Sequence, residues 1–374
     1  MKILHFIIGK ANPNRANGVN HVIHGLCKYG SIAGNDMVVV GLSKNMNKSF
    51  ELVNREEFQV RAFRNFFKGC LPEIKKELKS VDIVHLHSVW KPYNSIIAYY
   101  CKKYSVPYII TTHSGLTDDR IKQSKYILKK MYHICFQERL FNDAAGVHAI
   151  TNEEIFDVSK LTKNKNIFFV PNGIDTSKNL YSSKTYDFAK DRCFKFGYLG
   201  RFAIEKNIEG LILGIAKLPE NLKHKIECSL IGPIDNDAKK LKSLVRKLKL
   251  ENQIKFTGPI YGSEKFQKLR DLDFYIHTAF SDVVSIAAME AMSCGLPLAI
   301  TRTSQVSYYY DSNAFMMMEP TINEISNTII DMIDNKNKWE EMSKNSVNLV
   351  EELFNWQSIS NKMITNYKDI LNKR

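Results

Sequence analysis

Short runs rich in Val, Ile and Phe, each four to eight residues long, alternate along the chain with longer stretches whose apolar positions recur at helical spacing. Residues 1–8, 37–41, 81–87, 108–113, 146–150 and 167–170 read as strands, and 19–30 and 94–104 as amphipathic helices long enough for parallel crossovers. This is the pattern of a doubly wound α/β domain. The pattern then restarts with strands at 194–199, 225–231, 254–256, 274–278 and 298–300 and with clear helices at 237–248 and 323–334. Two α/β domains in tandem are expected. Their seam is placed after the turn cluster Pro171-Asn172-Gly173-Ile174-Asp175, which a polar stretch follows. The division is therefore 1–175, 176–350 and a closing segment 351–374. Beyond Ser346 a final amphipathic helix, broken once, is expected to run to Arg374. Phe354, Trp356, Ile359, Met363 and Tyr367 form its docking stripe, which packs back on the first domain.

Composition agrees with this reading and narrows it. The chain has 374 residues, 44% of them hydrophobic and 25% charged, too many for a single small module and apolar enough for two cores. The longest apolar stretch, near 274–300, is broken by Asp282 and Glu290, so no spanning helix is expected. Residues 3–8 are too short for the core of a signal peptide and lack a small-residue cleavage site. The seven cysteines are scattered, odd in number and without a Cys-x-x-Cys pair, which argues against a disulfide framework or a zinc site and for a reducing cytoplasm. The formal charge of +14 is uneven: residues 1–175 hold 25 Lys and Arg against 15 Asp and Glu, and 176–374 hold 28 against 24. A basic half suggests an anionic partner, such as ligand phosphates, nucleic acid or an acidic membrane face.

In open α/β sheets ligands sit beyond the carboxyl ends of the strands, so the strand-end loops are where chemistry is sought. Ala16-Asn17-Gly18 precedes the first helix, whose amides favour anions; Gly18 either lets backbone approach a ligand or simply serves a tight loop. The Gly-x-Gly-x-x-Gly dinucleotide fingerprint is absent. His85 and His87 share one face of their strand, but no carboxylate at ligand spacing accompanies them, so no metal is assigned there. His113 follows a strand and precedes Ser114-Gly115; it is either a ligand-facing residue or a satisfied structural histidine. Gly200-Arg201 ends another strand, with Lys206 five residues on. A planar guanidinium and a mobile ammonium together suit a diphosphate, the alternative being a solvated charge pair. Glu290 interrupts the apolar helix 287–294, for which Gly295 and Pro297 give the stop signal. A buried carboxylate needs partners: a ribose diol on one reading, neighbouring backbone or a basic side chain on the other.

Taken in order, these motifs resemble glycosyltransferase family 4, retaining enzymes of the GT-B fold. The resemblance rests on the glycine loop at Gly18, His85-Leu86-His87, Thr112-His113-Ser114-Gly115, Pro171-Asn172-Gly173-Ile174-Asp175, Gly200-Arg201 with Glu205-Lys206-Asn207, Glu290-Ala291-Met292 with Cys294-Gly295-Leu296-Pro297, and the closing Phe354-Asn355-Trp356. It implies two Rossmann-like doubly wound domains facing across a cleft. It implies that Arg201 and Lys206 bind the donor diphosphate, that Glu290 binds the ribose, that Gly18 lies by the phosphates, and that His113 faces the transferred sugar. Asp282 occupies the place of the family's first glutamate, which contacts donor-sugar hydroxyls, and Ser285 and Ile286 join the donor-binding set. The chain departs from the pattern where Asp282 is one methylene shorter than glutamate, where Val283-Val284-Ser285 replaces Gly-Phe-Gly, and after Thr301, where the usual Gly-Gly is missing.

The expected activity is retaining transfer of a sugar from a nucleotide sugar, UDP favoured over GDP, to a hydroxyl of a glycan acceptor. Similarity to family members that build bacterial surface polysaccharides implies a lipid-linked acceptor in O-antigen, capsule or lipopolysaccharide assembly. Asp235-Asn236-Asp237 and Asp271-Leu272-Asp273 resemble metal-binding Asp-x-Asp motifs but do not lie at convincing positions, so no essential metal or other cofactor is assigned. Residues 61–68 and 122–140, where Lys125, Lys129 and Lys130 alternate with Tyr126, Ile127 and Phe136, suit either peripheral contact with an anionic inner leaflet or an ordinary solvated helix with its core face. No nucleic-acid reading motif is present. A GT-B-fold sugar-nucleotide epimerase and a non-catalytic sugar-nucleotide or membrane-binding protein are the alternatives.

Overall fold

The computed structural model describes residues 1–12, 18–113, 115–116, 126–175, 182–188, 192–282 and 285–373. The chain forms two compact units, Met1–Gly173 with Trp356–Arg374, and Ile174–Asn355.

The first unit is built on eight strands: β1 (Lys2–Ile8), β2 (Asp36–Leu42), β3 (Phe50–Asn54), β4 (Gln59–Phe63), β5 (Ile83–His87), β6 (Tyr108–Thr111), β7 (Gly146–Ala149) and β8 (Ile167–Phe169). Their order is β3-β4-β2-β1-β5-β6-β7-β8. Every pairing is parallel except β3 with β4. β1, β2 and β5 are buried along almost their whole length because the sheet is covered on both faces. β3 and β4 were not expected from the sequence. They form an edge hairpin, and β3 alternates exposed and half-buried positions, so it has no apolar run to be seen. One face of the sheet is covered by the helices Gly18–Ile32 and Trp356–Asn372. Their contact is close: a Cβ added at Gly25 would lie 2.0 Å from the Trp356 ring.

The second unit has six parallel strands: β9 (Phe194–Leu199), β10 (Ile226–Ile231), β11 (Ile254–Gly258), β12 (Phe274–His277), β13 (Leu298–Thr301) and β14 (Phe315–Met318). Their order is β11-β10-β9-β12-β13-β14. β14, Phe-Met-Met-Met, was also missed, since methionine has helical rather than strand propensity.

The seams differ from those drawn on sequence. The first lies two residues earlier, because the Ile174 N–H donates to the Phe354 carbonyl at 2.7 Å and Ile174 bridges Asn355, which ties Ile174 and Asp175 to the second unit. The last crossing falls at Asn355/Trp356 rather than 350/351. The stripe is accordingly split. Phe354 is buried in the second unit beside Ile174 and Met289, whereas Trp356, Ile359, Met363 and Tyr367 are buried in the first. A helix Trp339–Leu349 and one wide turn, Val350–Phe354, precede the break at extended Asn355. Among the described residues no helix is long and apolar enough to cross a membrane, and all seven cysteines are free.

Candidate active site

In the second unit two strand-end loops are tied together. After β9, Gly200 has φ +152°, and a Cβ there would meet the Tyr198 hydroxyl at 2.5 Å. A Cβ on Gly232, after β10, would lie 2.1 Å from the Gly200 carbonyl, so the two turns meet backbone to backbone and need glycine. The chain then makes one tight turn, Ile204–Lys206, and Asn207 adopts φ +54° to cap the helix Ile208–Ala216, its side chain accepting from the Gly210 N–H. From the loop after β12, the Thr278 hydroxyl donates to the carbonyls of Lys206 and Asn207, and the Phe280 N–H donates to the Glu205 carbonyl at 2.9 Å.

This stitching brings Lys206 and Asp282 together. Lys206 Nζ lies 2.7 Å from Asp282 Oδ2, and His277 Nε2 lies 2.8 Å from the same oxygen. Burial alone would raise the Asp282 pKa. The hydrogen bond and charge of His277, with the charge of Lys206, overcome it and hold the carboxyl well below its ordinary range. His277, on β12, was not identified from the sequence, and its Nδ1 is buried without a partner among the described residues.

Ser285 caps the helix Ile286–Ser293, its hydroxyl accepting from the Ala288 N–H at 3.2 Å. Ile286 opens that helix half-buried, and Val283 and Val284 lie outside the described residues. One helical turn on, buried Glu290 accepts from Lys265 Nζ at 2.5 Å. Of the two readings of Glu290, the structure shows the basic-side-chain partner, and Lys265 is a third site cation that the sequence did not single out. Arg201 is exposed, with a guanidinium nitrogen 3.6 Å from Glu205. Each cation thus faces one carboxylate: Arg201 with Glu205, Lys206 with Asp282, and Lys265 with Glu290. The large apolar side chains left exposed among the described residues of this unit, Ile204, Ile234, Tyr261 and Phe280, all follow the carboxyl ends of strands.

Both Asp-x-Asp sequences have structural employment. Asp235 caps the helix Asn236–Lys247. Asp273, buried at the start of β12, accepts from Arg192 and from the Lys195 N–H.

In the first unit, Gly18 is exposed as the first residue of its helix, while Asn17 and Ser114 lie outside the described residues. Ser88, Trp90 and His113, in the loops after β5 and β6, have positive φ of 68°, 59° and 49°. Each costs about 1–3 kcal/mol, and such strain collects at functional sites. The loops are cross-linked: Trp90 Nε1 donates to the Gly115 carbonyl at 2.8 Å, and the Trp90 N–H to Gln137 Oε1. Buried Glu154 holds the Thr112 hydroxyl and the Ile150 N–H.

Beneath these loops the histidines form two hydrogen-bonded files. One runs from the Val170 carbonyl through His148, the Thr111 hydroxyl and His85 to the Tyr367 hydroxyl. The carbonyl can only accept, so His148 carries its proton on Nε2. Thr111 then donates to His148 Nδ1 and accepts from His85 Nε2, and Tyr367 donates to His85 Nδ1. The other file runs His5 Nδ1 to His87 Nε2 at 3.0 Å and His87 Nδ1 to His113 Nε2 at 3.1 Å. His5, His85 and His87 are close enough together to share a metal, but both nitrogens of His85 and both of His87 are committed to hydrogen bonds. Burial lowers the pKa of every one of these imidazoles, to about 3 for His5 and His113 and about 4 for His148.

Two parallel-sheet Rossmann-like units, with cations, a capped helix start and strained loops at their strand ends, define the fold of GT-B glycosyltransferases. Residues 16–178 match the model described as Glycosyltransferase Family 4, and residues 187–348 the model described as Glycosyl transferases group 1. The chain belongs to this glycosyltransferase family. It is 25% identical over 252 residues to an uncharacterized glycosyltransferase of Methanocaldococcus jannaschii, covering 66% of this chain and 63% of that one. It is 25% identical over 63% of its length to the alpha-monoglucosyldiacylglycerol synthase of Streptococcus pneumoniae, and 24% identical over 46% to the lipopolysaccharide glucosyltransferase WaaG of Escherichia coli. The matches span 55% and 41% of those two relatives, so in all three cases less than two thirds of the relative is covered. Among solved structures, sucrose-phosphate synthase from Thermosynechococcus elongatus shares the fold at a TM-score of 0.81 with 16% identity, covering all of both chains. Anabaena HepE in complex with UDP does so at 0.77 with 17% identity, covering 99% of this chain and all of that one.

Proposed function

We propose that this chain transfers a sugar from a nucleotide sugar, UDP-linked in preference to GDP-linked, to a hydroxyl of a lipid-linked glycan in bacterial O-antigen, capsule or lipopolysaccharide assembly. The observation that carries the reading is the cluster of Arg201, Lys206, Asp282 and Glu290 on two stitched loops and one helix of the second unit. Arg201 and Lys206 grip the diphosphate, Glu290 takes the ribose diol in exchange for part of its bond to Lys265, and Asp282 meets sugar hydroxyls. The exposed rings of Tyr261 and Phe280 offer apolar surface to a base. HepE, a fold neighbour, has been solved with UDP and with UDP-glucose, which supports the donor class.

The transfer is proposed to retain anomeric configuration. The bond from the anomeric carbon to the phosphate oxygen breaks, the acceptor oxygen bonds to that carbon from the same face, and the acceptor's proton passes to the departing phosphate. Arg201 and Lys206 stabilise the charge that develops on the leaving group, so no essential metal is invoked. Relatives named for a glycolipid and a lipopolysaccharide favour a lipid-linked acceptor. So does the stretch 127–136, where Ile127, Met131, Ile134 and Phe136 are 75, 59, 63 and 55% exposed beside exposed Lys130, as suits peripheral contact with an anionic leaflet. In 61–68, Arg61 is paired with Glu73 and Glu77 and Phe66 is buried, whereas Arg64, Phe67 and Lys68 are exposed.

The test is incubation with UDP-, GDP- and TDP-sugars, with and without lipid-linked acceptors, followed by detection of free nucleotide and product. Acceptor-dependent release supports the proposal. An altered free nucleotide sugar without acceptor would make the chain an epimerase, and binding without turnover would make it a non-catalytic binder. Co-sedimentation with vesicles, with and without anionic lipid at two salt concentrations, tests the membrane contact.

A further inference from the structure

The file His5–His87–His113 ends in the loop after β6, at the carboxyl end of its strand, where open α/β sheets place their ligands. Its hydrogen bonds are in line: the ring centroids of both successive pairs are 5.3 Å apart, the N···N distance plus a ring radius at each end. Each bond therefore carries one proton between two facing nitrogens.

The far end of the file fixes its direction. His5 Nε2 is buried without a partner among the described residues, and an orphaned buried N–H is rarer than an orphaned acceptor. His5 then holds its proton on Nδ1 and donates to His87 Nε2. A neutral His87 must hold its proton on Nδ1 and donate to His113 Nε2. A neutral His113 is left with its proton on Nδ1, which has no partner among the described residues. Burial keeps all three imidazoles neutral at physiological pH.

We propose that His87 and His5 are positioning residues that lock His113 in the Nδ1–H tautomer, so that at the ligand edge it donates a hydrogen bond to an oxygen lone pair, such as that of a sugar hydroxyl, and does not serve as a base. The inference rests on the proposed reaction only for the identity of that oxygen; the tautomer stands independently of whether the chain transfers sugar.

The experiment is long-range ¹H–¹⁵N correlation NMR on the full chain labelled at histidine nitrogens, at pH 7.5, with the signals assigned by single His→Gln variants. The expected result is a protonated Nδ1 and an unprotonated Nε2 for His113, with the same tautomer for His87. Protonation of His113 at Nε2, rapid averaging between tautomers, or an imidazolium at this pH would overturn it. In His87→Leu the His113 nitrogens should move to averaged positions, and turnover should fall about tenfold with UDP affinity unchanged. An unmoved His113 spectrum in a folded His87→Leu chain would equally refute the lock. If the donor panel finds no transfer, the wild-type tautomer still decides the question.

Discussion

Lowering the pH should unfold the first unit before the second. His5, His85, His87 and His148 are buried, and with His113 they form two files with no acid among them. Desolvation holds all five native pKa values far below the ordinary 6.5. For a base whose native pKa is depressed, the unfolded chain binds the extra protons, so stability is fully present above 6.5 and is lost as pH falls below it. One pH unit is worth about 1.4 kcal/mol per imidazole, so at pH 5.5 the five together cost about 7 kcal/mol. That is comparable to the roughly 5–15 kcal/mol that holds a domain together. In the second unit Asp282 contributes the opposite kind of term. Its stabilisation is intact above the ordinary carboxyl value of 3.8 and is lost only as pH falls towards its lowered native value. Urea titrations from pH 7.5 to 5, read by pulsed hydrogen exchange and mass spectrometry, resolve the two sheets. Peptides from β1, β5 and β6 should lose protection at falling urea concentrations below pH 6.5, while those from β9 and β12 hold. His5→Phe should reduce the slope by about one proton. A flat midpoint for the first unit between pH 7.5 and 5.5, or a parallel decline of both units, would refute the reasoning.

Arg201→Ala should lower turnover about 10²-fold or more, by analogy with loss of an oxyanion donor; a near-normal rate in the donor assay removes Arg201 from the site. Asp282→Asn should act with opposite signs. At 2.7 Å the gross attraction of Lys206 to this carboxylate is about 6 kcal/mol at an effective dielectric of about 20, most of it offset by desolvation. Freeing Lys206 should then tighten UDP binding about tenfold, or about 1.4 kcal/mol, in calorimetry, while sugar transfer falls; weaker UDP binding would contradict this. Gly25→Ala forces a methyl into the Trp356 ring and should destabilise the first unit by about 1–3 kcal/mol in urea unfolding, with the second unit unchanged.

Much of the architecture is written in local pattern. Buried parallel strands need apolar runs and their crossovers need helical stripes, so the two α/β units, the Gly200-Arg201 turn and the acidic interruption of the helix at Glu290 were all legible. Elements whose stability is not local were not. The β3–β4 hairpin is an edge with no apolar face of its own, and β14 takes its strand conformation from pairing with β13. The same division runs through the site. Sequence identified Arg201, Lys206, Asp282 and Glu290 singly, but which charges neutralise each other was settled by segments that meet only in the folded unit, bringing Lys206 to Asp282 and Lys265 to Glu290. The histidine files are the extreme case. His5 lies 82 residues from His87, and Tyr367 lies 282 residues from His85. A hydrogen bond acts over about 3 Å of space and leaves no periodicity in the chain, so only the assembled sheet could reveal these partners.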